Sequence, residues 1–321
     1  MRQVGAVDIG GTKIAVGIVR EDGAVLHRNE CGTDPERGFV NAMGRIEQML
    51  RQAVAQWGSI AGVGIGCPGP LDPVPGVIGD VGTLPGWQGG ELAAEIGLRL
   101  GVTVAVENDA DAAALGESVW GAASTQGTLI YLTVSTGIGG GIVQHGQLYR
   151  SLRGAHPELG HQVIDPSGPL CYCRISGCWE SVASGPAMSA WFSTIDPGHR
   201  SLTAEQICEY AQQGDPHAKR AVQREARYLG LGMANLVTLF VPDVICLGGG
   251  VMKSSSLFLD EIRSTVRTLC TQVPAEDTLI TLSSLGQDTG LLGAAQAWLL
   301  RHPSNDSAAQ DVPLRTFPGA K

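Results

Sequence analysis

Four clusters of side chains in this 321-residue sequence have the types and spacing that chemistry needs. The first is Asp8-Ile9-Gly10-Gly11-Thr12-Lys13, set between two apolar runs. Glycines there permit positive φ and let backbone N–H groups approach phosphate oxygens. Thr12 adds a hydroxyl and Lys13 a cation. Asp8, at the end of a run, is suited to holding Mg²⁺ through water, because Mg²⁺ keeps much of its hydration shell. A plain hairpin turn accounts for the same residues. The second cluster, Ser135-Thr136-Gly137-Ile138-Gly139-Gly140-Gly141, shifts that balance by repeating the pattern of a hydroxyl beside glycine. Two such turns, with Thr136 and Gly137 answering Gly11 and Thr12, can grip β- and γ-phosphates from opposite sides of a cleft. A third run, Leu247-Gly248-Gly249-Gly250-Val251, is flat enough at Gly249 and Gly250 for adenosine to lie on its backbone. The spacing does not match the dinucleotide-binding fingerprint, since a strand rather than a helix follows the first two turns.

The third cluster is Glu107-Asn108-Asp109-Ala110-Asp111, ending a strand and opening an Ala-rich helix. Functional carboxylates favour strand ends that face a cleft. Asp109 suits a general base taking the proton of an attacking hydroxyl, and Asn108 offers a donor and an acceptor to neighbouring hydroxyls. A helix cap formed by Asp109 or Asp111 is equally open on these residues alone. The fourth cluster joins Glu158 and His161 to Cys171, Cys173, Cys178 and Glu180. His161 with the three cysteines makes a His-Cys₃ tetrahedral zinc site, closed and therefore structural. Buried free thiols are the competing reading. Pinning this loop sets Glu158, His161 and Glu180 on one wall, where carboxylates can accept from the hydroxyls of a polyol.

The elements that must position these groups follow from pattern. Strands are expected at Val4–Ile9, Lys13–Val19, Ala24–Arg28, Ile60–Ile65 and Val102–Val106, with helices at Phe39–Trp57, Glu91–Leu100 and from Asp109 to Glu117. The second half restarts the same grammar: a strand at Thr128–Val134, a glycine turn over Ser135–Gly141, and a strand resuming at Ile142–Gln144. Helices are expected over Met188–Gln213 and Pro216–Phe240, a strand at Val244–Leu247 and a closing helix at Thr289–Leu300. Two related lobes result, 1–120 and 121–288, joined near Trp120–Gly127. Helix 289–300 completes the first lobe, and 301–321 forms a loose tail.

Composition sets the outer limits. Hydrophobic residues make up 43% of the chain, glycine occurs 45 times, and the formal net charge is −9. This is a globular α/β composition without the basic face that nucleic acid requires. No run approaches the length of a membrane span, and Met1-Arg2-Gln3 leads straight into Val4–Ile9 without a secretory pattern, so a cytoplasmic location is expected. Five of the eight cysteines stand singly, which in a reducing compartment leaves the bunched three for metal.

Taken in order, Asp8–Lys13, Asn108-Asp109, Ser135–Gly141, Glu158–His161, Cys171–Glu180 and Gly248–Val251 resemble the ROK family of sugar kinases and sugar-responsive repressors. The resemblance runs from about Val4 to Trp298. It implies two actin-like, RNase H-like lobes closing over ATP, Mg²⁺ and a sugar, with Asp109 as catalytic base and Asn108, Glu158, His161 and Glu180 as sugar contacts. Gly66-Cys67-Pro68-Gly69 resembles the loop bordering the sugar pocket, which adds Gly69. His161 also matches a zinc ligand, and relatives are often dimers or tetramers.

Three positions depart from the family pattern. Arg174 stands where glycine is usual, implying a locally different turn. Thr83 begins a segment that often starts with Asn. His156-Pro157 occupies a variable stretch that tunes which sugar fits. The expected activity is ATP-dependent phosphorylation of a hexose, foremost glucose to glucose 6-phosphate. N-acetylmannosamine or N-acetylglucosamine is the alternative acceptor, and fructose and allose remain open. A non-catalytic sugar-sensing regulator ranks lower, because such relatives carry a helix-turn-helix ahead of the first strand and only three residues precede Val4.

Overall fold

In the computed structural model, residues 1–121, 127–151, 154–198 and 200–303 are described. Most of the expected junction Trp120–Gly127 and residues 304–321 of the expected tail lie outside them. The first half runs β1 (Gln3–Ile9), β2 (Lys13–Arg20), β3 (Val25–Gly32), α1 (Phe39–Trp57), β4 (Gly62–Cys67), β5 (Leu71–Asp72), β6 (Val77–Ile78), α2 (Leu92–Leu100), β7 (Thr103–Asn108) and α3 (Asp109–Trp120). The second half runs β8 (Thr128–Val134), β9 (Ile138–Gln144), β10 (Gln147–Leu148), α4 (Trp179–Ala183), α5 (Gly185–Ile195), α6 (Ala204–Gln212) and α7 (Pro216–Phe240). It continues through β11 (Val244–Gly248), α8 (Leu259–Leu269), β12 (Leu279–Leu282) and α9 (Thr289–Arg301).

Each half builds a five-stranded sheet of the same design, ordered β3-β2-β1-β4-β7 and β10-β9-β8-β11-β12. In the first, β1 pairs antiparallel with β2 and parallel with β4; in the second, β8 does so with β9 and β11. The apolar, nearly unbroken runs that read as buried strands are buried: Val4, Ala6, Val7 and Ile9 of β1 are all inaccessible. Parallel strands covered on both faces require that composition. β1, β4, β7, β8 and β11 run on into Gly10-Gly11, Pro68-Gly69, Asp109, Ser135-Thr136-Gly137 and Gly249-Gly250, so the parallel ends of both sheets carry the groups singled out above.

The last helix ties the two halves together. α9 lays Leu291, Ala294, Ala295 and Trp298 against the first sheet, and Gly293 against Ala112 of α3. A β-carbon on Gly293 would collide with the Ala112 carbonyl, so only glycine permits this approach. Burying each large aliphatic of this set contributes about 1.5–3 kcal/mol.

Several expectations need correction. The stretch Met188–Gln213, expected to be largely helical, is divided between two helices. α5 ends at Ile195 because Asp196-Pro197-Gly198 cannot continue it, and α6 restarts on a capping box between Thr203 and Gln206. β3 extends beyond Arg28 to Gly32, paired with Lys13. The second glycine turn is shorter than expected: β9 begins at Ile138, so Gly139–Gly141 lie in the strand. There Asp111 and Ala114 of α3 press so close to Gly141 that a β-carbon has little room. β12 was not foreseen, its four residues giving too short a pattern to read.

Candidate active site

Three chain segments converge at the strand ends of the first sheet. Gly10 closes the first turn by donating to the Lys13 carbonyl (2.8 Å), and the Thr33 hydroxyl braces the Gly10 carbonyl (2.6 Å). Asp8 sits one residue before that turn, against Gly290 in the first turn of α9. Asp109 opens α3 across the end of β4: the space above Gly66 is bordered at 3.7 Å both by the Asp109 backbone and by Asp8 Oδ1. Lys13 is exposed and reaches Glu30 at 3.3 Å.

The cap of α3 is Asn108. Its Oδ1 accepts from the Ala110 and Asp111 amides at 3.0 and 3.3 Å, capping α3. Asp109 is thereby released from capping duty, keeping one local contact from the Ala110 amide (2.8 Å). The same bonds correct the expectation for Asn108: its acceptor is spent on the helix, and only the amide nitrogen is left, near Gly69. The Gly69-Pro70 bond that follows is cis.

Charge is concentrated in this corner. Burial, and then the neighbouring Asp109, push Asp8 up to about 6. Burial also raises Asp109, opposed by the Ala110 amide and by His156. Two carboxylates held close together in low dielectric favour a proton or a cation between them. An oxygen-rich, doubly anionic corner is the donor set a hard divalent cation takes.

The second sheet supplies the opposing wall. Ser135 donates through its amide to the Gly137 carbonyl (2.9 Å), forming a tight turn with Thr136 exposed at its tip. Gly249, at φ 92°, packs against the Val134 backbone, and Gly250 lies beside the Ser135 hydroxyl. Next to them is a cavity of about 450 Å³ lined by Thr136, Gly185, Ser189, Glu205, Gly250 and Lys253, among others. A larger cavity of about 780 Å³ between α7 and α8, with Arg220, Arg224 and Arg227 on its wall, includes no residue of the glycine turns, α3 or the cysteine loop.

The cysteine loop folds back on itself. The Cys171 amide donates to the Ile175 carbonyl, and Val163 bridges to Cys178. His161 and Cys171, Cys173 and Cys178 bring one ligand atom each to within 4.8 Å of one another. Cys171 Sγ is 3.7 Å from His161 Nδ1 and Cys173 Sγ 3.4 Å from Cys178 Sγ. Zinc–sulfur bonds of about 2.3 Å at tetrahedral angles need sulfurs roughly 3.8 Å apart, so the spacing fits that ion. The Tyr172 hydroxyl meets His161 Nε2 at 2.9 Å and turns Nδ1 towards the thiols, an orienting partner not anticipated from sequence. Both ring nitrogens are thus engaged, and a sugar hydroxyl at Nε2 has to displace Tyr172. Arg174 has a left-handed backbone, φ 70°, a conformation that costs a non-glycine residue about 1–2 kcal/mol.

Comparison with known proteins places this geometry. The ROK family profile matches residues 4–301. The chain belongs to the ROK family. It is 33% identical over 301 residues to a glucokinase of Thermotoga maritima, covering 90% of this chain and 95% of that one. Among solved structures, a ROK hexokinase of Thermus thermophilus is 36% identical with a TM-score of 0.82, covering 93% of this chain and 98% of that one. A ROK glucokinase of Streptomyces griseus in complex with glucose and AMPPNP is 34% identical with a TM-score of 0.75, covering 91% and 98%. The α/β fold with two actin-like, RNase H-like lobes is therefore that of the ROK sugar kinases.

Set against this ROK architecture, the residues chosen from sequence fall into three groups. Asp8, Gly10, Gly11, Asn108, Asp109 and Gly69 meet at the first sheet's strand ends. Thr136, Gly137, Gly249 and Gly250 meet at those of the second. Glu158 is exposed, with its Oε1 3.5 Å from His156 Nε2, which holds its carboxyl below the usual range. Glu180 behaves differently: its Oε2 accepts from the Ile138 amide at 2.9 Å and crowds Gly137. It braces the second turn, a contact no local pattern could have announced. Ser189, Glu205 and Lys253 were also missed, because they reach the cavity from three separate elements.

Proposed function

We propose that this ROK protein is an ATP-dependent hexose kinase whose foremost acceptor is glucose, phosphorylated to glucose 6-phosphate. The observation that carries the reading is Asp109, relieved of capping by Asn108, at a strand end beside Asp8 and the first glycine turn. The likeness to glucokinases over nearly the whole chain supports the same acceptor.

Asp109 takes the proton from the attacking hydroxyl as the phosphoryl group departs, while its raised affinity for protons keeps it a competent base near neutrality. The Asn108 amide, Gly69 and Glu158 orient the sugar. Gly10–Lys13 and Thr136-Gly137 approach the phosphates, and the cavity by Gly249 and Gly250 takes adenosine. Asp8 holds Mg²⁺ through water, which offsets phosphate charge when bound. His161, Cys171, Cys173 and Cys178 would hold zinc, which would fix the loop carrying Glu158 at one end and Glu180 at the other. Among the described residues no helix is long and apolar enough to cross a membrane. A cytoplasmic homo-oligomer, dimer or tetramer, acting on small molecules is the setting we assign.

The test is ADP release under Mg-ATP across glucose, mannose, fructose, allose, N-acetylglucosamine and N-acetylmannosamine. Turnover of about 1–10³ s⁻¹ on glucose, with the N-acetyl sugars well behind, is expected. Sugar binding without ADP release indicates a sensor, and preference for an N-acetylhexosamine reassigns the acceptor.

A further inference from the structure

Behind Glu158 lies an arrangement that the catalytic reading leaves unused. Asp111, in the first turn of α3, is completely buried. Among the described residues its Oδ2 is met by two cationic side chains, Arg150 Nη2 at 2.8 Å and His156 Nδ1 at 3.3 Å. Arg150 is itself anchored to Glu107 at 2.5 Å, and Glu107 also pairs with Arg301 of α9. A carboxylate taken wholly out of water must be compensated, and removing one partner of such a group is expensive. Asp111 therefore faces the imidazole from its Nδ1 side as an ion-pair partner at 3.3 Å, without a hydrogen bond of good geometry. The other nitrogen, Nε2, points into the candidate site: it is 3.5 Å from Glu158 Oε1 and 3.9 Å from where a β-carbon on Gly69 would stand. Asn108 Nδ2 borders that same point at 3.3 Å. The sequence separation between Asp111 and His156 hides this pair from any local pattern.

We propose that His156 is a sugar-recognition residue, oriented by its ion-pair contact with Asp111 so that Nε2 and the Glu158 carboxylate together read one hydroxyl of the hexose. A carboxylate alone accepts from a hydroxyl; the imidazole beside it, whose affinity for a second proton Glu158 and Asp111 raise, adds in its protonated form a donor to the same oxygen. A hydroxyl satisfies both, and a sugar lacking it leaves two desolvated polar groups without a partner. His156 also fixes Glu158, which is otherwise exposed on a mobile-length side chain. Recognition by this pair rests on the kinase reading above, since it presumes that the space between Gly69 and Glu158 holds the sugar.

The experiment is steady-state kinetics of the full-length zinc-loaded protein and of His156→Ala and His156→Gln, with glucose and a set of monodeoxyglucoses, reading KM for sugar and for ATP separately. In His156→Ala, kcat/KM for glucose should fall about ten- to hundredfold, the net worth of a hydrogen bond to a charged group. KM for ATP should stay within about twofold, by the same reasoning that ATP gains nothing from this bond. The wild type should discriminate against one particular deoxyglucose, and His156→Ala should lose that discrimination. His156→Gln, which keeps a donor at similar reach, should recover part of it. Unchanged glucose kinetics in His156→Ala overturn the proposal while leaving the kinase reading intact. So does a joint rise of both KM values with a fallen Tm, which marks a merely structural role. Absence of hexose phosphorylation by the wild type overturns both.

Discussion

At the scale of single residues, the site depends on where protons reside. Replacing Asp109 by Asn preserves volume and leaves the Asn108 cap in place, so Asp109→Asn should fold and bind sugar. It should lose about two to four orders of magnitude in kcat, the usual contribution of a general base. Near-normal turnover would reject the assignment. The same setting fixes the pH dependence. Burial raises Asp109, and Asp8 beside it is pushed up to about 6. A base works when ionised, so activity is lost as pH falls through a value above the ordinary carboxylate range of about 4. The acid limb of kcat/KM belongs to the pair and is expected above that range. A limb at the ordinary value would mean that the free enzyme's base does not sit in this buried corner. At the cysteine loop, Cys173→Ser should release zinc and raise KM for sugar and for ATP together, because the loop carries both Glu158 and Glu180, and Glu180 braces the second glycine turn. Elemental analysis finding no zinc in the wild type would defeat the metal assignment.

At the scale of elements, α7 holds a group whose cost is visible. Glu225 is fully buried, and among the described residues neither carboxylate oxygen has a hydrogen-bond partner. Burial raises it well above its ordinary value, so the folded protein keeps it protonated where the unfolded chain ionises it. Its contribution is fully present below the unfolded value of about 4.5 and is lost as pH rises towards the folded one, at about 1.4 kcal/mol per pH unit. Glu225→Gln removes that loss: denaturation midpoints should match the wild type near pH 4.5 and exceed it by a growing margin at pH 7 and above. A constant difference across pH would show that Glu225 is not held neutral. What the sequence revealed, and what it hid, divides along similar lines. Strand–glycine turn–strand openings were legible because apolar runs and glycine pairs are local signals. The break between α5 and α6 was also written, in Asp196-Pro197-Gly198, but the apolar spacing on either side masked it. The capping role of Asn108 was not legible, since Asn and Asp serve equally as caps and adjacent residues compete for the position. Nor were Glu180 against Ile138 or His156 against Asp111, because both contacts join elements through the fold.

At the scale of the molecule, the proposed site draws on two sheets of one design. Asp8, Asp109, Gly69 and the first glycine turn belong to the first; the second turn, the Gly249-Gly250 cavity and Glu158 belong to the second. α9 begins against Asp8 and runs along α3 through the close Gly293–Ala112 contact, so the helices at the junction move as a packed pair. A sugar touching Asn108 on one side and Glu158 on the other draws the halves together, and that same approach brings the two glycine turns to opposite ends of a triphosphate. Each ligand therefore lowers the work the other must do, and the coupling is reciprocal. Glucose should tighten binding of a nonhydrolysable ATP analogue about 5-fold or more, and the analogue should tighten glucose by the same factor, a coupling of roughly 1 kcal/mol or above. Titration calorimetry in both orders, on Asp109→Asn to exclude turnover, measures it directly. Equal affinities with and without the second ligand would mean that the cleft is already assembled, and that closure has no part in excluding water from phosphoryl transfer.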